Sequence, residues 1–274
     1  GTIDASGEGV GSIRLAGKNG LTIGGGALLD AHGTVLRVDS RGKIIDAPNR
    51  AIVELSSGDG QLTLASGAHI DLRHGTNAAV GNQPGQQDGQ KRGTLELNAA
   101  RTGETSGDIR IDASGSLNIE GARSIALNAV WRYDDSDPLA VIKDGLDSVS
   151  GRPYREITQG YLDQKHVQST KFMDAALANG ELLHGKLAGL NNATYADALH
   201  LRPGVAIVTG KDLVVQGDID LSGYRYASLN PRTQKTGVYG SGEAGSLVLR
   251  AAGNMDIYGR INDGFAPPPV TPEE

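Results

Sequence analysis

The stretch GDIRIDASGSLNIEGARSIALNA (Gly107–Ala129) decides the fold. Three short runs in it alternate apolar with polar residues: Ile109/Ile111, Leu117/Ile119 and Ile125/Leu127. Alternation with period two puts the apolar side chains on one face of a strand. Each run is too short to be a stable hairpin arm by itself. Three such runs, separated by glycines and small residues, predict the three sides of one turn of a parallel β-solenoid. The aliphatic side chains would point inward, and Asp, Arg, Asn and Glu outward.

The unit recurs. Gly11–Gly33 reads GSIRLAGKNGLTIGGGALLDAHG, and Gly60–Gly75 reads GQLTLASGAHIDLRHG. Pro203–Arg225 reads PGVAIVTGKDLVVQGDIDLSGYR, and Gly245–Gly264 reads GSLVLRAAGNMDIYGRINDG. The shared grammar is Gly, two alternating aliphatics, a Gly-containing corner, two more aliphatics, and often Ile-Asp or Leu-Asp. A repeat of roughly 20 residues marks a solenoid, whose turns stack because none buries its faces alone. That period predicts roughly 8–10 turns of an all-β parallel β-helix.

Composition agrees. Forty glycines in 274 residues suit several corners per turn. Aromatic residues make up 4% of the chain and none precedes residue 131, as a narrow aliphatic interior requires. The formal net charge of −6 argues against a nucleic-acid binder, which carries a basic patch. There is no cysteine, which suits a protein exported unfolded through an oxidising compartment. No apolar run approaches transmembrane length. Residue 1 already lies inside the repeat pattern, so the chain is expected to be a piece of a longer one.

In chain order, residues 1–129 read as solenoid turns, interrupted by a polar loop over Asn77–Arg92. The grammar stops over Val130–His200, which holds six of the eleven aromatics. Thr158–Ala178 has helical composition, Asn179-Gly180 reads as its stop, and Glu181–Leu190 as a weaker second helix. Residues 130–200 are therefore expected to be an α-helical insertion packed on the solenoid. Turn grammar returns over 201–264, with a polar loop at Ala227–Gly242. Residues 265–274 read as a Pro-rich linker in extended polyproline II form.

The grammar resembles that of filamentous-haemagglutinin-like large exoproteins, the adhesins of two-partner secretion. The resemblance is strongest in His200–Val205 (HLRPGV), Gly217–Tyr226 (GDIDLSGYRY), Leu249–Asn254 (LRAAGN) and Ile261–Pro268 (INDGFAPP). It implies a right-handed β-helix, export through an outer-membrane transporter partner, and adhesion at the bacterial surface. The Asn-Pro-Asn motifs of the family's secretion domain do not occur. The chain thus resembles an internal shaft segment, flanked by neighbouring β-helix domains and facing a host receptor or exopolysaccharide.

The densest polar-aromatic cluster is Trp131, Tyr133, Asp134, Asp135 and Asp137. Carboxylates beside aromatic faces suit sugar binding or an oxygen-ligated divalent cation, and these five are the expected rim of a ligand groove. The bland counterpart is an acidic loop with its aromatics packed beneath it. The six histidines show no metal-ligand spacing beside a carboxylate, so no metal site and no cofactor are expected. The G-x-G-x-x-G match at Gly240–Gly245 is followed by a strand, not a helix, and is discarded. Outward acids at Asp71, Asp112, Asp220 and Asp256 keep a glycan-active β-helix enzyme as an alternative. The primary expectation is a non-catalytic adhesin segment with no catalytic residue. A pure spacer is the third reading.

Overall fold

The structure is a computed structural model that describes residues 1–75, 90–146, 148–230 and 241–263. The expected linker over 265–274 lies outside the described residues, as do most of the loop over 77–92 and the centre of that over 227–242. The chain is mostly β, 42% strand against 12% helix, with parallel sheets and one curled half-barrel sheet. It forms two compact units, Gly1–Val130 with Phe172–Arg202, and Trp131–Lys171 with Pro203–Glu274.

In the first unit the chain visits three parallel sheets in turn. The strands are β1 (Thr2–Asp4), β2 (Ser12–Ala16), β3 (Leu21–Ile23), β4 (Leu28–Asp30), β5 (Ile52–Ser56), β6 (Leu62–Leu64), β7 (His69–Asp71), β8 (Gly93–Ala100), β9 (Ile111–Asp112), β10 (Asn118–Glu120) and β11 (Ala122–Tyr133). One sheet runs β1-β4-β7-β10, a second β3-β6-β9, and the third contains β2, β5, β8 and β11 in that order. Every third strand therefore joins the same sheet. The three runs of the opening stretch enter three different sheets.

Register explains why the aliphatic residues recur. Ile13, Val53, Leu95 and Ile125 are successive partners, as are Leu29, Ile70 and Ile119. All seven are buried. Five of the six aliphatics expected to point inward are buried, and Leu117 is half-buried. Polar residues stack too. Asn128 Nδ2 donates to Asn98 Oδ1 (2.9 Å) and Asn98 Nδ2 to Ser56 Oγ (3.0 Å), which satisfies amides that stacking would otherwise desolvate.

The expected period requires correction. Partners such as Ser12 and Ile52, or Leu21 and Leu62, lie about 40 residues apart along the chain. The 20-residue unit is only the stranded part of the period. Corner loops, such as that between β4 and β5, supply the rest and carry no periodic apolar signal. Roughly 8–10 repeats is therefore too many, because most register partners lie about twice the assumed period apart, with Thr94 and Ser124, 30 residues apart, as a shorter step. Such a loop is still anchored: buried Asn49 accepts from Arg37 N (2.8 Å) and donates to Arg37 O (2.9 Å) and Ile45 O (2.6 Å). Between β10 and β11, Gly121 turns the corner at φ +75°, and a Cβ there would sit 2.6 Å from Arg73 N.

The segment expected as a helical insertion is mixed. It carries β12 (Val141–Lys143), β13 (Tyr154–Ile157), α1 (Gln159–Leu177) and a π-helical stretch Leu182–Lys186. Its parts divide between the two units, with Trp131–Lys171 in one and Phe172–Arg202 in the other. Phe172–Arg202 belongs to the first unit, where Ala113 N donates to Lys186 O (2.7 Å) and Gly189 N to Ala113 O (2.8 Å). Tyr195 OH donates to Leu117 O (2.9 Å).

The second unit repeats the triplet order. The strands are β14 (Leu199–Thr209), β15 (Asp212–Gln216), β16 (Ile219–Asp220), β17 (Arg225–Tyr226), β18 (Glu243–Ala244), β19 (Ser246–Ala251), β20 (Met255–Tyr258) and β21 (Ile261–Asn262). Parallel partners Gly204 and Ser246, Leu213 and Met255, and Ile219 and Ile261 share one offset, so three strands advance together. β13 pairs parallel with β15, and β12 closes that sheet antiparallel. The core gathers Tyr133, Ile157, Tyr161, Leu162, Ile207, Leu213, Val215 and Ile219.

Candidate ligand-binding groove

The Asp of the recurrent Ile-Asp or Leu-Asp pair performs a local job. It ends a strand and accepts a hydrogen bond from the backbone N–H two residues on, as Asp4 does from Ser6, Asp112 from Ser114 and Asp220 from Ser222. The second residue's side chain often joins in: Ser6 Oγ and Ser114 Oγ reach the same carboxylates at 2.6 and 2.7 Å. These are corner turns built by side chains. They give Asp112 and Asp220, among the outward acids, a structural role at the corners.

The five residues singled out in the sequence fall at different depths of the second unit. Asp134 is another such turn, bonded to Ser136 N (3.0 Å) and Oγ (2.6 Å). Trp131 is partly buried against the core. Tyr133 is only 4% exposed, so its ring cannot line an open surface.

Asp137 is the centre of a buried charge network. Its Oδ2 accepts from Tyr161 OH (2.6 Å) and pairs with Lys165 Nζ (2.7 Å). The Lys165 ammonium lies 4.0 Å from the centre of the Tyr133 ring, a cation–π contact. Arg155 is fully buried, and its guanidinium donates to Tyr133 O, Val208 O and Tyr161 OH while lying 3.8 Å from Asp137 and 3.7 Å from Asp135. Asp135 Oδ2 accepts from Thr209 Oγ1 (3.0 Å) and Gly210 N (3.1 Å). Burial pushes the Asp137 carboxyl up, but the bonds from Lys165 and Tyr161 outweigh it and hold the pKa below the usual value. Burial, reinforced by Asp137, pushes the Tyr161 phenol well above its ordinary range. Tyr133, Asp135 and Asp137 thus meet as an internal brace. Their partners Arg155, Tyr161 and Lys165 lie 18 to 32 residues further along, beyond any local motif.

An open groove with a cavity of about 350 Å3 lies elsewhere in the same unit, and none of the five residues lines it. Its apolar surface comes from Leu162, Val205, Leu221, Leu247, Leu249 and Ile261. Its polar side holds His166, Tyr224, Arg225, Tyr226 and Asp263. Lys165 also reaches its lining, and so joins groove to brace.

The aromatic side is ordered. The His166 ring stacks on Tyr224, centroids 4.4 Å apart and planes 3° from parallel, and Tyr226 tilts against it at 5.1 Å. His166 Nδ1 lies 3.0 Å from Tyr226 OH. Tyr224 OH donates to Asp163 Oδ1 (2.6 Å) and accepts from Gln159 Nε2 (3.0 Å). Burial lowers the His166 pKa, against the opposing charge of Asp163, so the imidazole is neutral at pH 7. Burial and the bond to Asp163 push the Tyr224 phenol up, so it stays protonated. The His166–Tyr224–Tyr226 face is thus uncharged and borders the aliphatic surface, with Lys165, Arg225 and Asp263 as the charged members of the lining. The sequence reading missed it because its residues come from α1, β14, β17, β19 and the strand ends near 221 and 261. Only the spacing of Tyr224 and Tyr226 on one short run hints at it.

Compared with protein-family models, curated proteins and solved structures, the chain matches none. Among the described residues, no helix is long and apolar enough to cross a membrane.

Proposed function

We propose that the chain is a non-catalytic shaft segment of a secreted bacterial surface adhesin, built as a right-handed parallel β-helix. Its second unit would offer the groove to a carbohydrate of a host receptor or an exopolysaccharide. The observation that carries the binding role is the stacked His166–Tyr224 pair with Tyr226 beside an aliphatic surface. Sugars present apolar C–H faces between hydroxyls, and aromatic rings with polar edges suit both. The β-helix reading is supported by the triplet order of parallel strands and the shared offset of the last two triplets. The resemblance to filamentous-haemagglutinin-like exoproteins supports surface export through an outer-membrane transporter, and neighbouring β-helix domains as partners.

The non-catalytic reading is supported by how the titratable groups around the aromatic pair are engaged. Asp163 accepts from both Tyr224 and Gln159, and His166 is held between two tyrosines. The test is a glycan-binding screen on the whole chain with analysis of the sugars afterwards. Binding without turnover, abolished by Leu247→Trp in a variant of unchanged melting temperature, is the expected result. Turnover would move the reading to a glycan-active enzyme. Neither binding nor turnover would leave a spacer.

A further inference from the structure

The sheet β1-β4-β7-β10 carries a ladder of acids. Asp4, Asp30, Asp71 and Glu120 are successive register partners. Neighbouring parallel strands lie about 4.8 Å apart, so such carboxylates stand close enough to repel and need cations between them. Two donor sets converge here, Asp30 with His32 and Asp71, and His69 with Asp71 and Glu120. In each, one donor atom per residue lies within 4.8 Å of the others.

The sets differ in what fills them. Arg73 grips both oxygens of Asp71, through Nε (2.9 Å to Oδ1, 3.1 Å to Oδ2) and Nη2 (2.5 Å to Oδ2), and also faces Glu120 at 3.6 Å. Its guanidinium therefore already spans both carboxylates of the second set, whereas in the first set it holds Asp71 and competes for that carboxylate. In the first set, His32 Nδ1 points between two carboxylates, 2.5 Å from Asp30 Oδ1 and 3.9 Å from Asp71 Oδ2. Asp71 is buried and anchored, whereas the His32 and Asp30 side chains are part-exposed.

One imidazole nitrogen and two carboxylate oxygens are the donor mix of an open zinc site, with bonds of about 2.0–2.2 Å and room for water. We infer that Asp30, His32 and Asp71 form a site for a zinc-class divalent cation that clamps β4 to β7. Asp30 and His32 lie two residues apart at one corner, and Asp71 comes from the neighbouring strand about forty residues further on, so the set matches no local motif. This is why the histidines carried no metal signal in the sequence. The site lies in the first unit and is independent of the carbohydrate reading.

The test is calorimetric titration of the whole chain with Zn2+, with Ca2+ and Mg2+ as comparisons, and melting with and without Zn2+. Zn2+ is expected to bind and to raise the melting temperature, with Ca2+ and Mg2+ far weaker. His32→Ala and Asp30→Asn should each weaken Zn2+ on the order of tenfold or more, at least what an outer-partner loss costs a metal site. Arg73→Gln should tighten it, because a competing cation leaves Asp71. His69→Ala should bind as the parent does. Both ligand positions are part-exposed, and circular dichroism checks that the variants fold. No binding at about 1 mM Zn2+, or parental affinity in both His32→Ala and Asp30→Asn, would overturn the inference. So would a loss in Arg73→Gln equal to theirs.

Discussion

The least exposed charges are the most informative residues. Arg155 is completely buried, and Asp137 and Lys165 nearly so. Removing one member of a buried pair strands the others without water, at a cost of roughly 3–5 kcal/mol. Asp137→Ala, which leaves Arg155 and Lys165 short of a counter-charge, should lower stability by about that much in urea titration. A loss under about 1 kcal/mol would mean that water reaches the network. The acidic and aromatic residues of this network stood out in the sequence as a dense cluster. Their basic partners did not, because Arg155 and Lys165 sit in segments with no sign of inward polarity. The sequence therefore signalled a special place, and its nature as a brace required the partners.

At the scale of elements, the corner carboxylates link sequence to solution behaviour. The serine side chain, then its backbone N–H, pulls Asp4, Asp112, Asp134 and Asp220 below the ordinary carboxyl pKa of 3.8. Burial opposes this at Asp71, but Arg73 prevails and the shift is also downward. A carboxyl that is more acidic folded than unfolded stabilises the fold above its unfolded value. That contribution is lost as pH falls through the folded value. The urea midpoint should hold between about pH 5 and 7 and fall below about pH 4. A midpoint unchanged down to about pH 2.5 would show that these turns add nothing. The loops tell a similar story. Asn49→Ala strands backbone groups at Arg37 and Ile45 and should lower the melting temperature, by about 1–3 kcal/mol of stability. Strands and the long helix were legible because alternation and helical composition are local signals. The doubled period was not, because corner loops such as that held by Asn49 are fixed by hydrogen bonds to backbone, which leave no apolar rhythm.

Across the molecule, stability should vary along the strand stacks. β5 and β8 have parallel neighbours on both sides and buried aliphatic ladders. The last triplet leaves Met255, Ile257, Tyr258 and Ile261 exposed. Hydrogen exchange should be slowest in β5 and β8 and fastest in β19 to β21. Uniform protection would contradict a nearest-neighbour stack. Every functional reading above rests on strands lying parallel and in register with partners some forty residues away. The absence of cysteine makes that register directly testable. Glu54 and Glu96 are register partners whose side chains are only part-buried, and Thr63 lies in a different sheet. The most direct measurement is pyrene emission from the chain labelled at Glu54→Cys and Glu96→Cys, against a Glu54→Cys/Thr63→Cys control. The stack predicts strong excimer emission from the first pair and little from the second; monomer emission alone from the first, in a folded protein, would contradict it.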